Sequence, residues 1–166
     1  MGSTRLPGKV LSIVDEKNTS LYFTINQLNN CELIDKIVIA TTDNDEDDVI
    51  EEFCEKHEIE CFRGDTDDVL ARYYNCAKKF SFSEILRVTG DCPLIDPNIV
   101  DQGISIFKKN IYDYVTNTFP RTFPDGNETE IFSFLMLEKA FSNSVLPSER
   151  EHVTPYFRNQ KESFKI

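Results

Sequence analysis

Gly2, Ser3, Thr4, Arg5, Gly8 and Lys9 lie together in the run Met1–Leu11, MGSTRLPGKVL. Glycines let a backbone come close to a phosphate, and Ser and Thr add hydroxyl and amide donors. Arg5 and Lys9 place positive charge in one short loop of a chain whose net charge is -11. Backbone donors plus cations are what a triphosphate requires, because the departing pyrophosphate must be neutralised. A polar terminus with no ligand would have the same composition, and the residue types alone leave both readings open.

A second group is Thr89-Gly90-Asp91-Cys92-Pro93, at the C-terminal end of an apolar run, the edge where open α/β sheets bind ligands. A lone carboxylate there can hold Mg²⁺, which keeps several waters and uses few protein ligands. Asp91 could equally cap a turn, and Cys92 reads as a small packing residue. A third group is Arg63–Arg72, RGDTDDVLAR, a turn running into a helix start. Its backbone groups with Asp67 or Asp68 could position a nucleobase or ribose, or it could be an ordinary capped helix.

The elements that must carry these groups alternate. Asp35–Thr42 is rich in β-branched residues and reads as a buried strand. Val49, Ile50, Phe53 and Cys54 share a helical face, and the acidic run Asp43–Asp48 before it reads as a solvated helix start. Glu60–Phe62 is a short strand. Thr66 is the expected cap of a helix bearing Val69, Leu70, Tyr73 and Ala77. Glu84–Val88 is a strand, and Asp96-Pro97 opens a helix bearing Ile99, Val100, Ile104 and Phe107. Tyr112–Asn117 and Glu130–Phe134 are strands, the latter leading into a helix at 135–143. A last helix is expected over Ser148–Arg158. Near the start, Val10–Val14 is apolar, and Leu21, Ile25 and Leu28 mark a first helix. This alternation predicts one α/β domain over residues 1–166 with a mostly parallel sheet flanked by helices. A phosphate loop in such a fold follows the central strand. Here the loop opens the sequence, so that first central strand is expected to be absent. Ser163–Ile166 reads as the start of a further strand.

Composition narrows the partners. Hydrophobic residues are 40% of the chain and charged residues 28%, an ordinary globular balance. The acidic surplus argues against a nucleic-acid surface and against anionic lipid. No apolar run approaches the roughly 20 residues of a membrane helix, and no secretory leader is evident. The five cysteines show no Cys-x-x-Cys pair and read as reduced thiols, giving a cytoplasmic expectation.

Taken in order, MGSTRLPGKVL, ATTDNDEDD, FRGDTDDVLARYY, RVTGDCPLIDP, YVTNTFPRTFPDG and SEREHVTPY resemble the cytidylyltransferases related to spore-coat polysaccharide biosynthesis proteins. The wider group includes CMP-KDO and CMP-acylneuraminate synthetases. The resemblance covers nearly the whole chain, and several motifs in one order are far more specific than one loop. It implies a Rossmann-like nucleotidyltransferase fold, transfer of CMP from CTP to a sugar acid or sugar phosphate, release of pyrophosphate, and Mg²⁺ as cofactor.

By that likeness Arg5 and Lys9 grip the β- and γ-phosphates and Asp91 holds the metal. Gly2, Ser3, Thr4, Gly8, Thr89 and Gly90 line the nucleotide. Gly64, Asp67 and Asp68 lie near the cytidine, and Arg72 braces that segment. Asn117, Asp125, Glu130, Arg150, Glu151 and His152 face the sugar, whereas His57 reads as a surface residue at a helix end. A homodimer is a further expectation from relatives. The likeness also implies a hydrophobic strand before the loop and an Asp-bearing segment after residue 166, so the domain is expected to be incomplete. Glu128 stands where relatives often have Asp. The alternatives are an inactive truncated remnant and a nucleotide-sugar glycosyltransferase, which would favour Asp-x-Asp where this chain has Asp91-Cys92-Pro93.

Overall fold

A computed structural model of the chain describes residues 6–160 and 162–166. The expectations for Gly2, Ser3, Thr4 and Arg5 therefore lie outside the described residues. Among the described residues, five strands, β1 (Val38–Thr42), β2 (Glu60–Gly64), β3 (Glu84–Arg87), β4 (Tyr114–Thr116) and β5 (Glu130–Ser133), are interspersed with seven α-helices. These are α1 (Ser20–Leu28), α2 (Asp48–Lys56), α3 (Val69–Lys79), α4 (Pro97–Phe107), α5 (Phe134–Asn143), α6 (Pro147–His152) and α7 (Pro155–Asn159).

β1 and β2 form a parallel pair in the register Val38 to Glu60 through Thr42 to Gly64. β5 lies between β3 and β4 and is antiparallel to both, so β3 and β4 share a direction. Lys36 lies over the Phe80 ring, bringing the N-terminal ends of β1 and β3 to one side. Gly90 lies against Leu21, which belongs to a cluster with Ile25 and Ile50 on which Ile39 also packs. Among the described residues β1 and β2 thus form a parallel section of the α/β fold, and β5 runs against both β3 and β4 in a second section. Among the described residues no ladder joins β1 to β3, and a cavity of about 630 Å³ lies between them.

Helix starts follow side-chain acceptors. Thr19 Oγ1 accepts from the Tyr22 amide at 3.2 Å to begin α1, and Asp96 Oδ1 accepts from the Asn98 amide at 2.8 Å beside Pro97. The expected Thr66 cap is corrected. Asp68 accepts from the Ala71 amide at 2.9 Å and caps α3, while the Thr66 hydroxyl donates to Asp43. A carboxylate accepts more strongly at a helix start than a hydroxyl, and its charge suits the helix dipole.

The single helix expected over Ser148–Arg158 is two. Val153, φ 69 and ψ -61, sits at the centre of a γ-turn closed by the Thr154 amide on the His152 carbonyl at 2.8 Å. Pro155 then starts α7, where its missing N–H costs nothing. Val153 is fully buried despite its strained backbone, so the core around it holds the turn. At the end of the chain, the Lys165 carbonyl accepts from the Asp113 and Tyr114 amides, extending the β4 edge without a full strand.

The core has two faces. On one, Leu70, Ala77, Ile85, Tyr114, Phe132 and Phe157 pack together. On the other, Leu28, Ile95, Val100, Ile104 and Ile131 join α1 and α4 to the sheet. All five cysteines are free thiols. Among the described residues no helix is long and apolar enough to cross a membrane.

Candidate active site at the C-terminal strand edge

The C-terminal ends of β1, β2 and β3 release the chain at Thr42-Asp43, Gly64-Asp65 and Thr89-Gly90-Asp91. Gly8 ends the opening loop with φ 72, a left-handed conformation that glycine adopts without a Cβ clash, and a 3-10 turn over Lys9–Leu11 follows. This turn carries the Lys9 ammonium onto the Asp91 carboxylate. Partial burial pushes the Asp91 carboxyl up, but Lys9 and the Thr89 hydroxyl outweigh it and hold it below the usual carboxylate range. Asp91 is therefore ionised, with about one third of its side chain exposed. Thr89 Oγ1 also lies 3.2 Å from the Cys92 sulfur. Burial raises the Cys92 thiol, which keeps it neutral and suits a packing role.

Gly90 passes close under α1. A Cβ there would meet Leu21 Cδ1 at 3.3 Å, and its carbonyl accepts from the Thr24 hydroxyl at 3.4 Å. The Asp91 turn is thereby fixed to the helix that follows the Lys9 turn.

The Gly64–Arg72 segment is built around Asp65. Its Oδ1 accepts from the Asp67 amide at 2.9 Å and the Asp68 amide at 2.8 Å. These bonds, from Asp68 and then Asp67, lower the Asp65 carboxyl. Arg72 Nη1 donates to the Asp65 carbonyl at 2.6 Å. Burial lowers the Arg72 guanidinium, and its Nε has no hydrogen-bond partner among the described residues. Arg72 thus ties α3 to the Asp65 carbonyl. A Cβ on Gly64 would stand 2.9 Å from the Phe62 ring and 3.2 Å from Arg72 Cγ. Gly64→Ala is expected to displace both and to destabilise the protein by about 1–3 kcal/mol. Thermal unfolding measures this, and an unchanged melting temperature would contradict the packing described.

The sugar-side expectations divide. Arg150 Nη2 pairs with Asp68 Oδ2 at 2.7 Å and Nη1 donates to the Phe141 carbonyl at 2.8 Å. One cytidine-side and one sugar-side candidate therefore meet. Asn117 closes the following loop on itself, donating to the Asn127 carbonyl at 2.6 Å and accepting from the Thr129 amide at 2.9 Å. Asp125 pairs with Arg121 on an exposed turn. Glu151 and His152 are exposed on α6. Glu130 is buried in β5, paired with Arg87 Nη1 at 2.5 Å and bonded by the Tyr114 hydroxyl. His57 ends α2, half-buried against the Phe53 ring at 4.4 Å and the Tyr22 ring at 5.5 Å.

Two residues not singled out above shape this edge. Asp47 belongs to the acidic run read as solvated, yet it is 2% exposed. It accepts from the Thr41 hydroxyl at 2.6 Å, the Thr42 hydroxyl at 2.7 Å and the Thr42 amide at 3.0 Å. Burial opposes its ionisation, but hydrogen-bond donors, those of Thr41 and Thr42 among them, hold the carboxyl well below the ordinary 3.8. Its stability contribution is thus present above that unfolded value and lost as pH falls through the folded one. Asp47→Asn is expected to lose stability at pH 7, and the gap to the parent should narrow below about pH 4. Denaturant unfolding across pH checks this; a gap that stays constant would contradict it. Arg63 ties the same loop to β2, donating to the Thr42 carbonyl at 2.6 Å, the Asn44 carbonyl at 2.7 Å, Asp48 at 2.7 Å and Glu51 at 2.8 Å. The hydroxyl pair ending β1, five residues before Asp47, is the only sequence signal for the first of these.

The cytidylyltransferase family model matches residues 1–165. The chain belongs to the cytidylyltransferase family. That family comprises CTP-dependent nucleotidyltransferases. The solved structure of a cytidylyltransferase from Leptospira borgpetersenii serovar Hardjo-bovis is 40% identical, with a TM-score of 0.93 over 99% of this chain and 69% of that one. The spore coat polysaccharide biosynthesis protein SpsF of Bacillus subtilis is 32% identical over all of this chain and 70% of its own length. A CMP:2-keto-3-deoxy-manno-octonic acid synthetase complexed with CTP shares the fold, with a TM-score of 0.72 at 12% identity. The chain spans about two thirds of the length of the relatives it matches.

Proposed function

We propose that this chain carries the nucleotide-binding and metal-binding part of an enzyme that transfers CMP from CTP to a sugar acid or sugar phosphate for surface polysaccharide synthesis. The observation that carries the reading is the convergence of Lys9 and Asp91 at the C-terminal strand edge. A cation and a carboxylate there match the two needs of a nucleotidyl transfer: neutralising the leaving pyrophosphate and holding a divalent cation.

An oxygen of the sugar acid or sugar phosphate attacks the α-phosphorus of CTP. The new P–O bond forms as the bond to the β-phosphate oxygen breaks, and pyrophosphate leaves with that electron pair. A phosphate nucleophile arrives ionised; a hydroxyl gives up its proton to solvent. The protein's work is positioning and electrostatics. Lys9, with Arg5 from the same loop, neutralises the β- and γ-phosphates. Gly8 and Gly90 let backbone approach the nucleotide, alongside Gly2, Ser3, Thr4 and Thr89. The Gly64–Asp68 turn, held by Asp65 and Arg72, offers backbone groups to the cytidine. Asp68 and Arg150 together border the acceptor, with Asp125, Glu151 and His152 further out. Asn117 shapes the acceptor loop through its two backbone bonds.

Among the described residues no cluster of three metal-ligating side chains exists. A lone ionised Asp91 fits Mg²⁺, which takes most of its ligands from waters and substrate phosphates. When bound, Mg²⁺ would neutralise charge developing on the phosphates. The reading also implies a cytoplasmic enzyme, given its nucleotide substrate, and admits a homodimer. The test is release of pyrophosphate with CTP, Mg²⁺ and a panel of sugar acids and sugar phosphates. Release that requires both CTP and one acceptor class supports the reading; none with any acceptor contradicts it.

A further inference from the structure

Cys54 and Cys61 stand on adjacent elements, α2 and β2, and the site described above uses neither. α2 returns into β2 through a tight turn, in which the Cys54 carbonyl accepts from the His57 amide at 3.2 Å and the Ile59 amide at 2.9 Å. Arg63 identifies the face of β2 that meets α2, because its guanidinium reaches Asp48 at 2.7 Å and Glu51 at 2.8 Å on that helix. Side chains alternate along a strand, so Cys61, two residues before Arg63, points to the same face. Residues three apart share a helix face, so Cys54, three after Glu51, stands one turn further along α2. The turn reverses the chain, and this one step on each element brings the two sulfurs to the same level. Cys54 and Cys61 accordingly pack in one cluster with Leu21, Ile25 and Ile50. The Cys54 thiol donates a hydrogen bond to the Cys61 sulfur.

The two thiols differ in access and in charge. Cys54 is fully buried and Cys61 half-buried. The hydrogen bond from Cys54 holds the Cys61 thiol below its ordinary range, and Arg63 and Lys79 add to this against burial and the Glu51 charge. The same bond, with burial, raises the Cys54 thiol. Burial also raises the Cys31, Cys76 and Cys92 thiols. The thiolate is the nucleophile in sulfur oxidation. Cys61 is therefore the sulfur that reacts first, with Cys54 as its resolving partner.

We propose that Cys54 and Cys61 form a reversible oxidation site, at which a small hydroperoxide converts the pair to a disulfide between α2 and β2. The Cys61 thiolate attacks one peroxide oxygen and the O–O bond breaks. Cys61 becomes a sulfenic acid, and the other oxygen leaves as hydroxide, which takes up the proton that Cys61 had released. The Cys54 sulfur then attacks the Cys61 sulfur while its own proton passes to the departing hydroxyl, which leaves as water. The two thiols give up two electrons and the peroxide takes them. With hydrogen peroxide the products are one disulfide and two waters. The bond closes a short loop and clasps α2 to β2 beneath the Gly64 turn, and such a cross-link restrains the unfolded chain.

The probe is hydrogen peroxide, added to the whole reduced chain and followed by intact mass, peptide mapping and thermal unfolding. The chain is expected to lose the mass of two hydrogens and to yield one cross-linked peptide pair joining Cys54 to Cys61. Cys31, Cys76 and Cys92 should remain open to alkylation after denaturation. The melting temperature should rise by a few degrees and return on reduction with dithiothreitol. Cys54→Ser should stop at a Cys61 sulfenic acid, which dimedone captures. Cys61→Ser should leave Cys54 reduced under the conditions that convert the parent. A parent chain whose Cys54 and Cys61 stay reduced overturns the proposal, as does a disulfide between other cysteines or between two chains. These outcomes are read on the parent and stand even if a variant fails to fold. A melting temperature that does not rise as the bond forms, or a Cys61→Ser chain whose Cys54 is oxidised as fast as in the parent, also overturns it.

Discussion

Asp91→Asn is expected to slow pyrophosphate release from CTP by about 10²–10³-fold, the usual consequence of deleting one preorganised electrostatic group at a reacting centre. The substitution is nearly isosteric and leaves the Thr89 and Cys92 neighbours in place. Its cost in stability should be small. Asp91 and Lys9 are each about one third exposed on their side chains, and an exposed ion pair contributes about 0–1 kcal/mol. The two effects therefore separate the roles. A carboxylate that merely caps a turn would give the opposite pattern, with a lowered melting temperature and unchanged turnover. Lys9→Met should act in the same direction, and more strongly on the nucleotide than on the acceptor. Steady-state rates with each substrate varied measure both.

Glu130→Ala is expected to destabilise the fold by about 3–5 kcal/mol, because it leaves the Arg87 charge buried without its partner. Glu130 is 5% exposed and Arg87 is 19% exposed on its side chain. The Tyr114 hydroxyl, fully buried, loses its acceptor in the same step. Arg87→Met combined with Glu130→Leu should recover much of the loss, since an apolar pair removes both charges together. The midpoint of denaturant unfolding reads the difference directly. If Glu130 instead contacts the sugar, the single variant would keep its stability and change only the Michaelis constant for the acceptor.

Glu130 illustrates where residue types stop being informative. In the run NETEIF a glutamate followed by apolar residues fits an acceptor ligand as well as a strand residue turned inward. The deciding fact is Arg87, which is 43 residues away and opposite it in the β3–β5 register. Asp47 is similar: among six consecutive polar or acidic positions only a three-dimensional contact with Thr41 and Thr42 distinguishes the buried one.

Local chemistry was legible where it acts locally. Asp96-Pro97 caps and starts α4 as their types require, and the β-branched run DKIVIATT contains β1. Direction was not legible for β5, since strand polarity depends on the path of the loop from Asn117 to Thr129, which Asn117 ties shut. The split between α6 and α7 depends on a valine with positive φ, a conformation that no propensity favours. The Lys9–Asp91 pairing joins residues 9 and 91, with Gly90 packed against Leu21 beside it, a contact no local pattern shows.

The most direct test of the central claim is thermal unfolding of the chain with Mg²⁺ and each of CTP, UTP, GTP and ATP in turn. A nucleotide present at about 100 times its dissociation constant adds about 2.7 kcal/mol of stability. The account predicts that CTP raises the melting temperature, that the other three do so less, and that Asp91→Asn and Lys9→Met abolish the difference. Equal shifts from all four nucleotides, or a CTP shift that survives both substitutions, would contradict it.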